Sequence, residues 1–129
     1  MCIRDRKLSD LLLETGLRDN AKWVLAEGSD SSGMTRSIPI EKMLDDCIIA
    51  WAMNGEALRP EQGYPARLVV PGWEGNMWVK LIRRLEFGDK PYMTREETSK
   101  YTDLLTSGKA RMFTWVMDCL LYTSDAADE

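Results

Sequence analysis

The spacing of apolar residues near the start of the chain predicts one short helix and then a strand. Residues 7–16 read KLSDLLLETG, with leucines repeating on one helical face and Gly16 as a good C-terminal stop. The apolar run WVLAE at residues 23–27 precedes the polar loop GSDSSG, which is typical of a strand that ends in a loop. Residues 38–40 are predicted to be extended, and residues 40–46 are predicted to form one or two helical turns.

A hairpin is the clearest short-range prediction for the middle of the chain. Residues 47–53, CIIAWAM, are apolar and β-prone, and Asn54-Gly55 separates them from residues 56–58. Asn-Gly between two such runs is a strong hairpin signal. Residues 59–65, RPEQGYP, are expected to be irregular because two prolines flank a glycine.

Further strands are predicted in the second half. Residues 67–70 (RLVV) read as a buried strand closed by Pro-Gly, and residues 80–87 (KLIRRLEF) alternate partly, as a strand does. Residues 95–103 predict a polar loop or short helix, and residues 112–117 (MFTWVM) predict a final strand. Together the segments indicate an α+β fold with mainly β pairing in one mixed domain.

The composition of the chain argues against several classes of function. Of 129 residues, 44% are hydrophobic and 29% are charged, as in a globular domain, and the net charge is −4. This acidic balance argues against a nucleic-acid partner. No apolar run of 18 or more residues predicts a membrane span. Because the chain has no histidine, a Ser-His-Asp triad and a His-based zinc site are excluded.

Both ends of the chain differ from the segments that they flank. Residues 1–6, MCIRDR, and residues 119–129, CLLYTSDAADE, resemble translated sequencing-adapter read-through. We therefore expect both to be non-native tails around a partial domain at residues 7–118; ordinary frayed termini are the alternative. Cys2 and Cys119 fall in these tails, and the remaining Cys47 lies in an apolar strand as a small core residue.

The segment at residues 59–80, RPEQGYPARLVVPGWEGNMWVK, is the best candidate for ligand chemistry. It contains two tight turns and two cations, Arg67 and Lys80. Glycines allow close backbone approach, and an arginine fork with backbone N–H groups suits a phosphate or another oxyanion. The alternative is a pair of ordinary turns capped by surface cations.

Two other residues are candidates on weaker grounds. Asp30 follows a strand end and could accept hydrogen bonds from a ligand, although a turn-forming aspartate is common in such loops. Tyr101 lies in a polar segment beside Lys100 and could donate a hydrogen bond to a substrate or take part in proton transfer. A half-buried loop tyrosine is the alternative.

Three strings carry a family resemblance: AEGSDSSGMTRSIPIEKMLDD, NGEALRPEQGYPARLVVPGWEGNMWVK and MTREETSKYTDL. They resemble the molybdopterin-binding domain of sulfite oxidases, and the likeness covers residues 7–118. Within that family, GEALRPEQGYP, PGWEGN and MTREETSKYTDL are similar to the molybdenum subunit of bacterial sulfite and sulfur dehydrogenases of thiosulfate-oxidising systems.

The resemblance implies roles for individual residues. Tyr101 matches the family's active-site tyrosine, and Gln62 stands where many members have histidine. Glutamine can still hydrogen-bond a phosphate or pterin but carries no proton. The positions that match contacts to the molybdenum-molybdopterin cofactor are Asp30, Gln62, Arg67, Trp78, Val79 and Lys80.

The resemblance also sets expectations for the parent protein. Its molybdenum-ligating cysteine would lie shortly upstream of residue 7, in a stretch that MCIRDR replaces here, so we expect this chain alone to be inactive. The parent would oxidise sulfite or a related sulfur oxyanion, pass electrons to a cytochrome c in the periplasm, and form oligomers through a further domain.

A non-catalytic, β-rich binding or interaction module is the rival hypothesis. The two hypotheses differ in one geometric expectation. Asp30, Arg67, Lys80 and Tyr101 should line one concave surface if they serve a cofactor, whereas Arg67 and Lys80 should point apart if they do not.

Overall fold

A four-stranded sheet is built around one central strand. The computed structural model describes residues 2–115. The four strands are β1 (Ile3–Lys7), β4 (Ile48–Met53), β5 (Glu56–Ala57) and β6 (Arg67–Val69). Strand β4 pairs antiparallel with each of the three other strands of this sheet. A register shift at Arg4/Asp5 interrupts the β1–β4 ladder.

A three-stranded antiparallel sheet forms the other main layer. Its strands are β2 (Trp23–Gly28), β3 (Thr35–Pro39) and β7 (Ile82–Gly88), in the order β3-β2-β7. The central strand β2 is buried along nearly its whole length, which matches the apolar run at its start. Strands β8 (Asp103–Leu104) and β9 (Ala110–Arg111) form a separate small hairpin.

Two short helices cover the core. Helix α1 spans Leu8–Thr15 and helix α2 spans Ile40–Asp45. The Gly16 N–H donates to the Leu12 carbonyl at 2.9 Å and closes α1, as the sequence predicts. Both helices bury their apolar faces with strand residues in one hydrophobic cluster, whose members include Leu8, Leu12, Val24, Ile38, Met43, Leu68, Met77 and Val79.

Most predicted elements are confirmed, and so is the mainly-β α+β class. Both helices, the strand at 23–27 and the Asn-Gly hairpin are present. Residues 59–65 are irregular apart from a single 3-10 turn at Pro60–Gln62. The polar segment at 95–103 contains a π-helical turn, Glu96–Lys100.

Residues 3–7, four of which lie in the predicted non-native tail at residues 1–6, pair with β4 at the edge of its sheet. Four of these five residues are charged, as is common on edge strands. That residues 1–6 are foreign to the natural protein stays a prediction. The strand predicted at 112–117 is wrong for residues 112–115, which form none. Phe113 has a φ of 59°, which breaks an extended chain. Residues 116–117 and the predicted tail at 119–129 lie outside the described residues.

Within residues 2–115, no helix is both long enough and apolar enough to cross a membrane.

Neighbouring leucines of α1 allow a matched test of this core. Leu12 is 8% exposed, whereas Leu13 is 84% exposed. We expect Leu12→Ala to lower the free energy of unfolding by about 2–5 kcal/mol, because it removes buried methyl groups and leaves a cavity. Leu13→Ala should change it by less than about 0.5 kcal/mol. Urea denaturation followed by circular dichroism measures both, and equal losses would contradict the packing of α1.

Candidate functional site

A close backbone approach at Gly63 brings the two predicted cations together. Gly63 follows the 3-10 turn with a φ of 110°, a conformation that favours glycine. A Cβ atom at this position would lie 3.0 Å from Lys80 Cβ and 3.2 Å from Arg67 Cβ. A side chain here would therefore be strained by its backbone conformation and would crowd the segments that carry Arg67 and Lys80.

The carbonyl groups of the 3-10 turn fix both cations. Lys80 Nζ donates to the Glu61 carbonyl at 2.6 Å, and Arg67 Nη1 donates to the Gln62 carbonyl at 3.1 Å. The two side chains thus converge on adjacent peptide groups and do not point apart. The side-chain oxygen of Gln62 accepts a hydrogen bond from the Arg59 N–H at 3.1 Å, which holds the turn closed.

Arg67 is held in place but keeps an unused donor. Its Nη2 donates to the Trp78 carbonyl at 3.3 Å, and its guanidinium carbon lies 5.6 Å from the centre of the Trp78 ring. Burial lowers the pKa of Arg67, although an arginine remains charged at neutral pH. Within residues 2–115, Arg67 Nε and Trp78 Nε1 are buried without a hydrogen-bond partner.

Arg67 and Trp78 line the same cavity. This cavity, called the Arg67 cavity below, has a volume of about 260 Å³. Its walls are mostly apolar, with a few polar groups, which is the usual make-up of a small-molecule site. The lining residues are Ile3, Ala50, Met53, Leu58, Gln62, Arg67, Val69 and Trp78.

The loop after β2 lies beside the same segment. A Cβ atom at Gly28 would lie 2.7 Å from the Lys80 carbonyl oxygen, so only glycine permits this approach. Ser29 donates to the Leu81 carbonyl from its backbone N–H at 2.9 Å and from its hydroxyl at 3.1 Å. Val79 is buried, and its carbonyl accepts a hydrogen bond from the Leu68 N–H at 2.9 Å.

Asp30 forms hydrogen bonds inside its own loop. One carboxylate oxygen accepts from the Met34 N–H at 3.0 Å and the other from the Ser32 hydroxyl at 2.9 Å. The bond from Met34 has the largest effect and lowers the pKa of Asp30, because it favours the charged carboxylate. Asp30 is therefore a turn-forming residue in this structure, and a ligand would use its remaining lone pairs.

Tyr101 lies in a different cluster. The Arg36 guanidinium carbon is 4.8 Å from the centre of its ring, and its N–H donates to the Glu96 carbonyl at 3.0 Å. Among residues 2–115, the hydrogen bonds and ring contacts of Tyr101 do not reach Arg67 or Lys80. The structure thus brings the six predicted cofactor positions to adjoining segments and places Tyr101 elsewhere. The expectation that Asp30, Arg67, Lys80 and Tyr101 line one concave surface is therefore not met, since Arg67 alone among these four lines the Arg67 cavity.

The sequence patterns do not predict the cluster that surrounds Tyr101, which consists of Arg36, Glu97 and Thr114. Arg36 and Glu97 are charged residues, and charged residues ordinarily lie at the surface. Their burial depends on pairing between segments that are about sixty positions apart, which no local pattern reports. The one signal in the sequence that could have indicated this cluster is Arg36, a charged residue just before the extended segment at 38–40.

The described cysteines do not form a metal site. Cys47 is 1% exposed, and burial raises the pKa of its thiol to about 12, so it is not a thiolate at neutral pH. Cys2 is exposed. No group of three or more Cys, Asp or Glu residues within residues 2–115 is arranged to hold a metal ion.

A match to a family model identifies the class of protein to which this fold belongs. Residues 6–96 match the family model described as the oxidoreductase molybdopterin-binding domain. The chain therefore belongs to this family, which includes the sulfite oxidases and implies a molybdenum cofactor.

Comparison with solved structures identifies a similar protein. The crystal structure of the sulfane dehydrogenase SoxCD from Paracoccus pantotrophus superimposes with a TM-score of 0.84 at 58% identity. This match covers 90% of the present chain and 30% of that chain.

More distant relatives include enzymes with different substrates. Mitochondrial sulfite oxidase of Drosophila melanogaster is 40% identical over 92 residues, which cover 65% of the chain and 16% of that enzyme. An NADPH nitrate reductase of Mycosarcoma maydis is 41% identical over 76 residues, or 54% of the chain and 8% of that enzyme. The chain thus spans only a small part of each of these relatives.

Cysteine reactivity tests whether Cys47 belongs to the core. In the native chain we expect iodoacetamide to modify Cys2 and to leave Cys47 unmodified, since only a thiolate reacts. Peptide mass mapping measures both sites, and unfolding in urea should make Cys47 react as well. Alkylation of native Cys47 at the rate of Cys2 would contradict its burial.

The Asp30 loop should respond to acid in a defined direction. Because its folded pKa is lowered, the carboxylate stabilises the loop above the unfolded pKa, and this stabilisation is lost as the pH falls through the folded pKa. We expect the Met34 amide resonance to titrate with a midpoint below the ordinary value for aspartate. Asp30→Asn should abolish this titration, and a midpoint above the ordinary value would contradict the assignment.

Proposed function

We propose that this chain is the cofactor-holding part of a molybdenum-pterin oxidoreductase that oxidises sulfite or a related reduced sulfur compound. The observation that carries the proposal is a pair of buried donors without partners, Arg67 Nε and Trp78 Nε1, on residues that line one cavity. Leaving buried donors unpaired costs roughly 1–3 kcal/mol each. A ligand with acceptor atoms would remove that cost.

The residues present fit a phosphorylated pterin. Its phosphate is an anion, and Arg67 and Lys80 supply two cations on adjoining segments. Its ring system carries nitrogen and oxygen acceptors that suit Trp78 Nε1 and the amide of Gln62. Because burial disfavours the charge on Arg67, a bound anion would compensate that charge directly.

The chain's own contribution is binding and orientation. The cofactor, when bound, supplies the two-electron redox chemistry, and the protein positions it. Arg67, Lys80, Trp78 and Gln62 would hold it, while the phenol of Tyr101 would hold or move a proton beside the substrate. A thiolate ligand for the metal would have to come from outside residues 7–115, since the buried Cys47 is not a thiolate and Cys2 lies in the predicted non-native tail.

The choice of a sulfur substrate rests on similarity. The likeness to the sulfane dehydrogenase covers 90% of the chain at 58% identity, whereas the nitrate reductase match covers 54% at 41%. A cytochrome c electron acceptor, a periplasmic location and an oligomeric parent belong to the same proposal.

The rival hypothesis, a non-catalytic interaction module, is less well supported. It requires Arg67 and Lys80 to be independent surface cations, but both side chains turn onto neighbouring carbonyl groups.

The pterin content of purified protein tests the proposal. The chain is produced in a host that makes molybdopterin, and co-purified pterin is measured per mole of protein as its fluorescent oxidation product. We expect Arg67→Ala to lower this content at least about tenfold, since losing a charge-assisted hydrogen bond costs roughly 1.5–3 kcal/mol.

Arg18→Ala is the matched control, because it removes the same charge from an exposed position. It should leave the pterin content unchanged. Equal pterin contents in the Arg67 variant, the Arg18 variant and the unaltered chain would refute the proposal.

A further inference from the structure

A fully buried arginine lies against the ring of Tyr101. The side chains of Arg36 and Glu97 are both 0% exposed, and Arg36 Nε lies 2.9 Å from Glu97 Oε1. Arg36 Nη2 also donates to the Thr114 carbonyl at 3.2 Å. These four residues, called the Arg36 cluster below, join β3 to the segment that follows β7.

Each member of the Arg36 cluster is fixed by a second contact. The Ser37 N–H donates to Glu97 Oε1 at 2.9 Å, so the carboxylate is tied to β3 by main chain as well as by charge. The Thr114 hydroxyl donates to the Tyr101 carbonyl at 2.8 Å. Arg36 is therefore anchored by Glu97 on one side and by Thr114 on the other, with Tyr101 against its guanidinium.

The backbone and the ring of Tyr101 are held by different groups. Its N–H and carbonyl are fixed by Glu96 and Thr114. Among residues 2–115, the hydrogen bonds found on Tyr101 use only its backbone, and its ring contact is with the Arg36 guanidinium. The Arg36 guanidinium is thus the cation that faces the ring, and within residues 2–115 the phenol oxygen has no hydrogen-bond partner.

A contribution to the stability of the fold does not by itself explain why Arg36 and Glu97 form a buried ion pair. Two buried charges lose hydration, and an apolar pair of similar volume often stabilises a core equally well. A planar guanidinium, however, packs against an aromatic ring in a defined way, which neither lysine nor an apolar side chain reproduces.

We propose that Arg36 is a positioning residue that sets the ring orientation of Tyr101, with Glu97 as its anchor. This inference rests on the proposed function in so far as Tyr101 serves the substrate. The claim that Arg36 orients the Tyr101 ring is argued only from the contacts within the Arg36 cluster.

The test records NMR spectra of the whole chain with ¹³C-labelled tyrosine rings. Tyr101→Phe assigns the Tyr101 signals among those of the four tyrosines. In Arg36→Lys the charge opposite Glu97 is kept but the planar group is lost. We expect the Tyr101 ring signals to shift, while those of Tyr64 and Tyr92 stay within their line widths.

Two further variants keep the test decisive. Arg36→Met combined with Glu97→Met removes both charges, so no unpaired buried charge unfolds the chain, and it should shift Tyr101 in the same selective manner. Arg83→Lys is the matched control at a half-exposed arginine that pairs with Glu27, and it should shift none of the three signals.

The inference is overturned if the Tyr101 signals in Arg36→Lys coincide with those of the unaltered chain. It is also overturned if the three tyrosines shift together, because Arg36 would then act only on the fold. Neither result depends on the cofactor, so failure of the proposed function is read separately from the pterin content of the Arg67 variant.

Discussion

The close packing at Gly63 is the constraint on which the candidate site depends. Without a Cβ atom at this position, the backbone of the 3-10 turn lies against Arg67 and Lys80, and its carbonyls hold both cations. A second close approach, between Gly28 and the Lys80 carbonyl, brings the Asp30 loop to the same segment. Both sheets therefore contribute to one site through contacts that larger residues would prevent.

The site combines fixed geometry with unsatisfied hydrogen-bonding capacity. Arg67 uses two nitrogens to hold itself in place and retains Nε for another partner. Such preorganisation lowers the entropy lost on binding. At Tyr101, backbone hydrogen bonds and the buried Arg36 guanidinium hold the residue, and within residues 2–115 its phenol has no hydrogen-bond partner. Two rigid clusters on one fold are consistent with separate tasks for cofactor binding and substrate handling.

Local patterns in the sequence were sufficient for most of the fold. The apolar run of β2 and the Asn-Gly turn each act within a few residues, and the structure confirms both elements. The strand predicted at 112–117 does not form over residues 112–115, because the aromatic side chains there pack against other rings and the backbone turns. Trp115 stacks on Trp73 with ring centres 5.0 Å apart, and Phe113 adopts a left-handed backbone. Non-local contacts, such as Arg36 with Glu97, leave no periodic signal.

Ligand-dependent thermal unfolding tests most directly whether the Arg67 cavity, with Lys80 on the adjoining segment, binds a phosphorylated pterin. The chain is heated alone, with purified molybdopterin, and with a pterin that lacks the phosphate. A ligand that binds only the folded state at 100 times its Kd adds about 2.7 kcal/mol of stability. If the cations bind the phosphate, we expect a higher Tm with molybdopterin and a much smaller rise with the unphosphorylated pterin. An unchanged Tm with molybdopterin would contradict it.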